Sequence, residues 1–209
     1  MLRAMARIEA VVFDFGNVLT MVDRLACCRA LGRHTTLSAE NIAARIWGGE
    51  IERLSETGVW DSLEHFHRIR DAIGAQADWG HVQFLEEFAA GFVINPEGVE
   101  AMRLARRMGR RVFVLSNCSY NHARFLFHQE DLVRIPEGHV FSFKVGVMKP
   151  DPLIWRHLLE TRCLAPERCL YIDDIAAFCR AAEALGLRSI HYVKGKTDLL
   201  GDIGRALGI

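Results

Sequence analysis

Three short apolar runs in this sequence each lead directly into polar side chains that could bind or react. These side chains are Asp14 after the first run, Ser116 and Asn117 after the second, and Asp173 and Asp174 after the third. Apolar runs rich in β-branched residues are typical of buried parallel strands, whose carboxyl ends lie along one edge of the sheet. A loop lysine, Lys149, lies between the second and third runs. The sequence therefore predicts that three carboxylates, a hydroxyl and an ammonium group face one crevice.

The charges of these groups predict the chemistry of the crevice. Asp14 beside Asp174 would form a like-charge pair, and a divalent cation between them would offset their repulsion. A small set of oxygen ligands favours Mg²⁺ that retains several waters. Lys149 and the cation would neutralise a bound phosphoryl group, while Ser116 and nearby backbone amides would bind its oxygens. Asp14 could then attack phosphorus and form an acyl-phosphate that water hydrolyses.

The elements that must position these groups alternate between strand and helix from residue 95 onward. After the strand that precedes Asp14, strands are predicted at 112–115, 140–143, 169–172 and 189–193, with an irregular segment at 130–138. Alternation of this kind indicates βαβ units with helices on both faces of a parallel sheet. The predicted fold class is therefore α/β.

The region 21–94 is expected to be almost entirely helical, without a strand. Helices are predicted at 24–31, 38–47 and 62–73, with Ser38 and Asp61 as N-caps, and Asp78 is expected to cap a further helix. Helical spacing of apolar residues in this region indicates that the helices pack on one another. The sequence therefore predicts a small helical bundle inserted after the first strand.

The composition limits the class of partner. Lys plus Arg and Asp plus Glu are 26 each in 209 residues, so the formal net charge is zero. This balance does not indicate a nucleic acid or an anionic membrane as partner. We find no run of transmembrane length, no apolar segment of signal length near the start, and no zinc or redox spacing among the six cysteines. A cytoplasmic protein with reduced thiols, monomeric or homodimeric, is expected.

Four motifs carry a resemblance to a known family. They are Asp14-Phe15-Gly16-Asn17-Val18, Leu115-Ser116-Asn117, Gly146-Val147-Met148-Lys149-Pro150-Asp151-Pro152 and Tyr171-Ile172-Asp173-Asp174. In this order they resemble the motifs of the haloacid dehalogenase-like (HAD) hydrolase superfamily, in its subgroup with a helical cap. The form of the first motif, the Met148-Lys149-Pro150 loop and the overall length are most similar to small bacterial sugar-phosphate phosphatases of the α-glucose-1-phosphate type. The resemblance implies a Rossmannoid three-layer core from residues 1–20 and 95–209, and an all-helical cap from residues 21–94.

The resemblance also implies a role for each motif residue. Asp14 would be the nucleophile, Ser116 would bind phosphate, and Lys149 would stabilise the negative charge of the phosphate. The residues expected to bind substrate are Phe15, Gly16, Ser116, Asn117 and Lys149. The residues expected to hold Mg²⁺ are Asp14, Asp174 and the Gly16 carbonyl, with Asp173 as a secondary ligand. A Mg²⁺-dependent phosphatase of a small phosphorylated metabolite, such as a sugar phosphate, is the expected function.

Two positions depart from the family pattern. Gly16 stands where most family phosphatases carry a general acid–base aspartate, so another group would have to move the proton. Asp23 is near in sequence, but its position favours capping of the first helix of the insertion. Phe178 lies near the place where relatives often have a polar residue that supports the metal site. His122 is interpreted as a solvated helix residue, with a place in the crevice as the alternative.

Two other functions remain open at this point. A 2-haloacid dehalogenase would use Asp14 to attack carbon without a metal, and the leaving halide would need no proton. That enzyme's typical residues after the nucleophile are absent here, and the Asp173-Asp174 pair favours a cation. A catalytically weakened binding or regulatory protein would explain Gly16 and Phe178.

Overall fold

The structure, a computed structural model, describes residues 6–208, so residues 1–5 and 209 of the predicted core segments lie outside the described part. In chain order its elements are β1 (Ala10–Phe13), β2 (Thr20–Val22), α1 (Arg24–Leu31), α2 (Ala39–Ile46), α3 (Glu50–Glu56), α4 (Ser62–Ile73), α5 (His81–Phe88), β3 (Phe92–Ile94), α6 (Pro96–Arg107), β4 (Arg111–Ser116), α7 (Tyr120–Phe127), α8 (Glu130–Arg134), β5 (Gly138–Phe141), α9 (Ser142–Val145), α10 (Pro152–Thr161), β6 (Cys169–Asp173), α11 (Ala176–Ala184), β7 (Arg188–His191) and α12 (Leu199–Leu207). Within residues 6–208, no helix is both long enough and apolar enough to span a bilayer.

The first strand lies in the middle of a five-stranded sheet whose order is β5-β4-β1-β6-β7. All pairings in this sheet are parallel. Because successive side chains of a strand point to opposite faces, Val11 and Phe13 pack in one cluster with α6, α7 and α12. Ala10 and Val12 pack in a second cluster with α10 and α11. The predicted α/β fold, with helices on both faces of a parallel sheet, is confirmed.

The two edge strands begin and end earlier than predicted. The strand predicted at 140–143 is Gly138–Phe141, and the strand predicted at 189–193 is Arg188–His191. Each has one neighbour, and its pairing stops where that neighbour ends, at Ser116 for β5 and at Asp173 for β7. The segment predicted to be irregular, 130–138, contains the short helix α8.

The inserted region is not wholly helical, contrary to the prediction. Its ends form an antiparallel pair of three-residue strands, β2 and β3, in which Thr20 lies opposite Ile94. Strands this short hold too few residues to show alternation in the sequence. The pair brings the ends of the insertion together, and helices α1 to α5 lie between its strands in the chain. We propose residues 21–94 as the cap.

Three of the four N-cap residues predicted for the inserted helices are found in the structure, and one is not. The side chains of Asp23, Ser38 and Asp61 accept hydrogen bonds from the first turns of α1, α2 and α4. The expectation that Asp78 caps a helix is wrong, because α5 begins at His81. Gly80 is the N-cap residue, and the buried Trp79 before it donates from Nε1 to Glu87 Oε2 at 3.0 Å.

Helix α4 and the backbone after α3 both contact the core. Ser62 Oγ of α4 donates to Asn121 Oδ1 of α7 at 2.5 Å, and Asn121 Nδ2 lies 3.1 Å from His65 Nδ1. Beyond the end of α3, Gly58 has φ +72°, and a Cβ there would lie 2.0 Å from the backbone oxygen of Phe143. The backbone after α3 therefore rests directly on the core.

We predict that Gly58→Ala destabilises the protein more than Gly74→Ala does. Both glycines have a left-handed φ, which costs an L residue about 1–2 kcal/mol. Gly74 has open space around its Cβ position, whereas Gly58 has the Phe143 backbone there. Urea unfolding of both variants measures the difference in the free energy of unfolding. Equal losses would show that the backbones of Gly58 and Phe143 can separate without cost.

Candidate active site

A cavity of about 390 Å³ opens at the carboxyl ends of β1, β4 and β6, between the core and the cap. The core side of its lining includes Asp14, Phe15, Gly16, Asn17, Ser116, Asn117, Lys149, Asp174 and Phe178. The cap side includes Asp23, Arg24, Trp47, Glu52 and Glu56. The structure therefore brings the strand-end side chains and the loop lysine together at one edge of the sheet.

Lys149 is the centre of the charged cluster. Its side chain is 1% exposed, and Nζ lies 2.7 Å from Asp14 Oδ1 and 2.7 Å from Asp173 Oδ2. Burial lowers the pKa of Lys149, but the two carboxylates outweigh burial and raise the pKa overall. The lysine is therefore held as an ammonium ion directly beside Asp14.

Asn117 fixes the loop that carries this lysine. Its Oδ1 accepts a hydrogen bond from the backbone N–H of Lys149 at 2.7 Å, and its Nδ2 donates to the backbone oxygen of Lys149 at 3.0 Å. Both polar atoms of the Asn117 side chain are thus used on the loop. Its role at the site is to position Lys149, and its predicted contact with substrate stays a prediction.

Asp173 is completely buried, and both of its carboxylate oxygens accept hydrogen bonds from protein groups. Its Oδ2 accepts hydrogen bonds from Lys149 Nζ and from the Tyr171 hydroxyl, and its Oδ1 accepts one from the Ile175 N–H at 2.8 Å. Phe178 places its ring 5.1 Å from Lys149 Nζ. These contacts orient the lysine, and the role of Asp173 as a secondary metal ligand stays a prediction.

Asp174 is tied to the loop after β1 by Asn17. Asn17 Nδ2 donates to Asp174 Oδ2 at 3.0 Å, and Asn17 Oδ1 accepts from the Val22 N–H at 3.2 Å. Asn17 has φ 54°, a left-handed conformation that asparagine adopts more readily than most residues. Burial raises the pKa of Asp174, against the effect of the Asn17 hydrogen bond.

The three carboxylates fit a hard divalent cation. Asp14, Asp173 and Asp174 each offer one oxygen, and these oxygens all lie within 4.8 Å of one another. Burial raises the pKa of Asp14 to about 7, with the charges of Asp173 and Asp174 adding to the effect and Lys149 opposing it. One ammonium group does not offset three carboxylates, so a further positive charge would stabilise the ionised cluster. Oxygen donors of this kind suit Mg²⁺.

The remaining predicted site residues line the floor of the cavity. Ser116 is buried, and its hydroxyl donates to the backbone oxygen of Asn117 at 3.2 Å. The Phe15 ring is buried and stacks on Phe92, with ring centroids 6.1 Å apart, so its backbone N–H is the part that could serve a ligand. A Cβ at Gly16 would meet Val22 Cγ2 at 3.7 Å, which is an ordinary contact.

Asp23 does not fill the place of the missing acid. Its Oδ1 accepts from the Ala26 N–H at 2.9 Å, and this bond, with Arg29 nearby, lowers its pKa. The carboxylate therefore holds no proton at neutral pH. The interpretation of Asp23 as a helix cap is confirmed.

The expectation that His122 is a solvated helix residue is wrong. Its ring stacks on Phe88, with centroids 4.6 Å apart, and on Trp47 at 5.6 Å. Burial lowers its pKa to about 3, so the ring is neutral. The sequence gives no direct sign of this, because the aromatic rings that cover the histidine come from the cap.

Glu56 is the acidic residue of the cavity that sequence reasoning missed. It ends α3 and is 7% exposed. Burial raises its pKa to about 8, with Glu52 adding to the effect and Arg24 opposing it. A glutamate in an amphipathic helix is normally solvated, so no local pattern indicates its burial.

The fold agrees with comparisons to known proteins. The family model "haloacid dehalogenase-like hydrolase" matches residues 8–186. The curated relative "Phosphatase MT3486" from Mycobacterium tuberculosis (strain CDC 1551 / Oshkosh) is 30% identical over 190 residues, which cover 87% of this chain and 86% of that protein.

Two solved structures resemble the whole fold. The HAD family enzyme BT-2542 from Bacteroides thetaiotaomicron, in complex with magnesium and inorganic phosphate, has a TM-score of 0.79 at 22% identity and covers 91% of this chain and 97% of that chain. A structure described as "a predicted HAD-like family hydrolase" from Porphyromonas gingivalis has a TM-score of 0.83 at 23% identity, with 98% and 100% covered. The chain therefore belongs to the haloacid dehalogenase-like hydrolase family, and it is an enzyme of that family.

Proposed function

We propose that this enzyme is a Mg²⁺-dependent phosphomonoesterase that acts on a small phosphorylated metabolite, such as a sugar phosphate. The observation that carries the proposal is the ammonium group of Lys149, held at 2.7 Å from both Asp14 and Asp173 beside the Asp174 carboxylate. This arrangement combines a nucleophile with fixed positive charge where a phosphoryl group could bind.

Each residue contributes a separate part of the reaction. Asp14 attacks phosphorus and forms an aspartyl phosphate, which water then hydrolyses. Lys149 lies at hydrogen-bond distance from the nucleophile and offsets the charge on the phosphoryl oxygens, and Ser116 binds one of them. A bound Mg²⁺, held by Asp14 and Asp174 with the Gly16 carbonyl, would supply further charge neutralisation.

The size of the cavity and the named relatives support this class of substrate. A cavity of about 390 Å³ under a cap suits a small molecule more than a polymer. The relative that is 30% identical bears the name phosphatase, and a structural neighbour was solved with magnesium and inorganic phosphate. The sugar-phosphate subtype rests on the resemblance of the first motif, the Met148-Lys149-Pro150 loop and the overall length.

Dehalogenation is less well supported than phosphate hydrolysis. A metal-free dehalogenase needs Asp14 ionised, yet burial and the neighbouring carboxylates raise its pKa to about 7. A bound cation would favour the ionised form, and the carboxylate cluster fits such an ion. A binding protein without catalysis would have no need for this costly arrangement of buried charge.

We predict that removal of the metal abolishes phosphate release. The expected loss with EDTA is at least about 100-fold, because one divalent charge at a phosphoryl group contributes several kcal/mol. The measurement is release of inorganic phosphate from a panel of sugar phosphates and an aryl phosphate, with EDTA and then with excess Mg²⁺. Chelator-insensitive release of chloride from 2-chloropropionate, without phosphate release from any compound, would replace the proposal with dehalogenation.

A further inference from the structure

The proposed reaction needs a group that gives a proton to the leaving oxygen and later takes one from water. Gly16, which stands at the usual position of that group, has no side chain to do so. Among the other titratable residues of the cavity, Asp23 is an ionised helix cap and His122 is a stacked neutral ring. None of these three positions supplies the acid that the reaction calls for.

Glu56 faces this cavity from the cap side without a partner of its own. It is 7% exposed, and within residues 6–208 no group donates a hydrogen bond to its carboxyl group. The ring atom Nδ1 of His122 is 3.9 Å from Glu56 Oε1, which is too far for a hydrogen bond. The carboxyl oxygens are not fully enclosed, so they remain open to the cavity and to a ligand there.

The neighbouring glutamate of the same helix gives a contrast. Glu52 also lines the cavity, but its Oε1 accepts from Arg24 at 2.8 Å and its Oε2 accepts from the Gly48 N–H. Those contacts place Glu52 in an ion pair with Arg24. Glu56, one turn further along α3, has no such contacts and remains available to a ligand.

The position of Glu56 is fixed by the docking of α3 on the core. Two residues after it, Gly58 rests against the backbone of Phe143. Glu56 is near enough to the core cluster for the charges of Lys149 and Asp14 to act on its ionisation. The end of α3 is therefore held at the cavity that Asp14 and Lys149 also line.

Glu56 carries a proton at neutral pH. Burial raises its pKa to about 8, and the carboxylates of Glu52 and Asp14 add to this effect, while Arg24 and Lys149 oppose it. A carboxyl group that stays protonated near pH 7 can act as a general acid.

We propose that Glu56 is the general acid–base residue of this enzyme, supplying from the cap the function that Gly16 cannot supply; this assignment rests on the proposed phosphatase function. When Asp14 attacks phosphorus, the bond from phosphorus to the leaving oxygen breaks, and the Glu56 proton passes to that oxygen to give an alcohol. The Glu56 carboxylate then takes a proton from water as that water attacks the aspartyl phosphate. The bond between phosphorus and Asp14 breaks, phosphate leaves, and Glu56 is protonated again.

The test compares Glu56→Gln with Glu50→Gln, an exposed change on the same helix. The substrates are an alkyl phosphate, whose leaving group needs a proton, and 4-nitrophenyl phosphate, whose leaving group does not. We expect Glu56→Gln to lower kcat on the alkyl phosphate by about 10²–10⁴-fold, the range for loss of a general acid–base group. On 4-nitrophenyl phosphate we expect a burst of one nitrophenolate per site, followed by slow turnover, because only hydrolysis of the aspartyl phosphate is impaired. Glu50→Gln should match the wild type.

A second variant tests whether a proton donor is what Glu56→Gln lacks. The space at Gly16 accepts a Cβ, with Val22 Cγ2 at 3.7 Å as its nearest neighbour. Adding Gly16→Asp to Glu56→Gln should raise kcat on the alkyl phosphate by tenfold or more. If the double variant folds like the wild type by circular dichroism and is no faster than Glu56→Gln, the assignment is overturned.

Other results separate this assignment from the proposed function. A raised KM with unchanged kcat and no burst would make Glu56 a residue that binds the leaving group, which overturns the assignment and leaves the phosphatase function standing. Equal losses of kcat on both substrates without a burst would indicate a structural role for Glu56. That result would also overturn the assignment and leave the phosphatase function standing. A wild-type enzyme that hydrolyses neither substrate with Mg²⁺ would remove the proposed function and the assignment together.

Discussion

Asp14→Asn is expected to lower phosphate release by at least about 10³-fold, since loss of a nucleophile removes the covalent path altogether. The amide has nearly the shape of the carboxylate, and its oxygen can still accept from Lys149 Nζ, which lies 2.7 Å from Asp14 Oδ1 in the native protein. Its oxygen carries no charge, however, and cannot form an acyl-phosphate. The measurement is kcat at saturating Mg²⁺, with circular dichroism to follow the fold.

Asp23→Asn is the matched control for this variant. Asp23 lines the same cavity, but its carboxylate caps α1, and asparagine caps helices about as well as aspartate. We expect wild-type turnover from it. Undiminished turnover in Asp14→Asn would remove Asp14 from the mechanism and, with it, the proposed reaction.

The sequence predicts the core of the site because strand ends are strongly constrained. A buried apolar run fixes a parallel strand, and a parallel sheet fixes which edge its last residue faces. Asp14, Ser116 and Asp174 meet in one cavity for that reason. The sequence does not distinguish the roles of Asp173 and Asp174, because the two carboxylates are adjacent in the chain. The structure shows that Asp173 is the one buried against Lys149.

The cap side of the site is much less predictable. Glu56 is buried because the backbone at Gly58 docks on Phe143, and His122 is buried because Trp47 and Phe88 cover it. Both effects depend on contacts between segments far apart in the chain, which no local spacing records. The strands β2 and β3 were missed because three residues are too few for a periodic signal.

The arrangement around Lys149 links stability to catalysis. Its ammonium group offsets two buried carboxylates, and those carboxylates alone would repel one another. The side chain is enclosed further by Phe178 and Tyr171, whose rings lie 5.1 and 5.8 Å from Nζ. A change at this lysine should therefore alter folding, metal binding and turnover together.

Lys149→Met is expected to lower kcat by about 10²–10³-fold, the range for loss of one charged group that stabilises a transition state. Without a metal, it should also lower the free energy of unfolding by about 3 kcal/mol, because Asp14 and Asp173 lose their partner. Mg²⁺ should raise the stability of the variant more than that of the wild type, since a cation binds more readily when the ammonium group is gone. Urea unfolding with and without Mg²⁺ measures both effects, and the exposed change Lys196→Met is the control. Turnover within tenfold of the wild type would mean that the metal and Ser116 suffice to neutralise the phosphoryl group, and Lys149 would then be a structural residue.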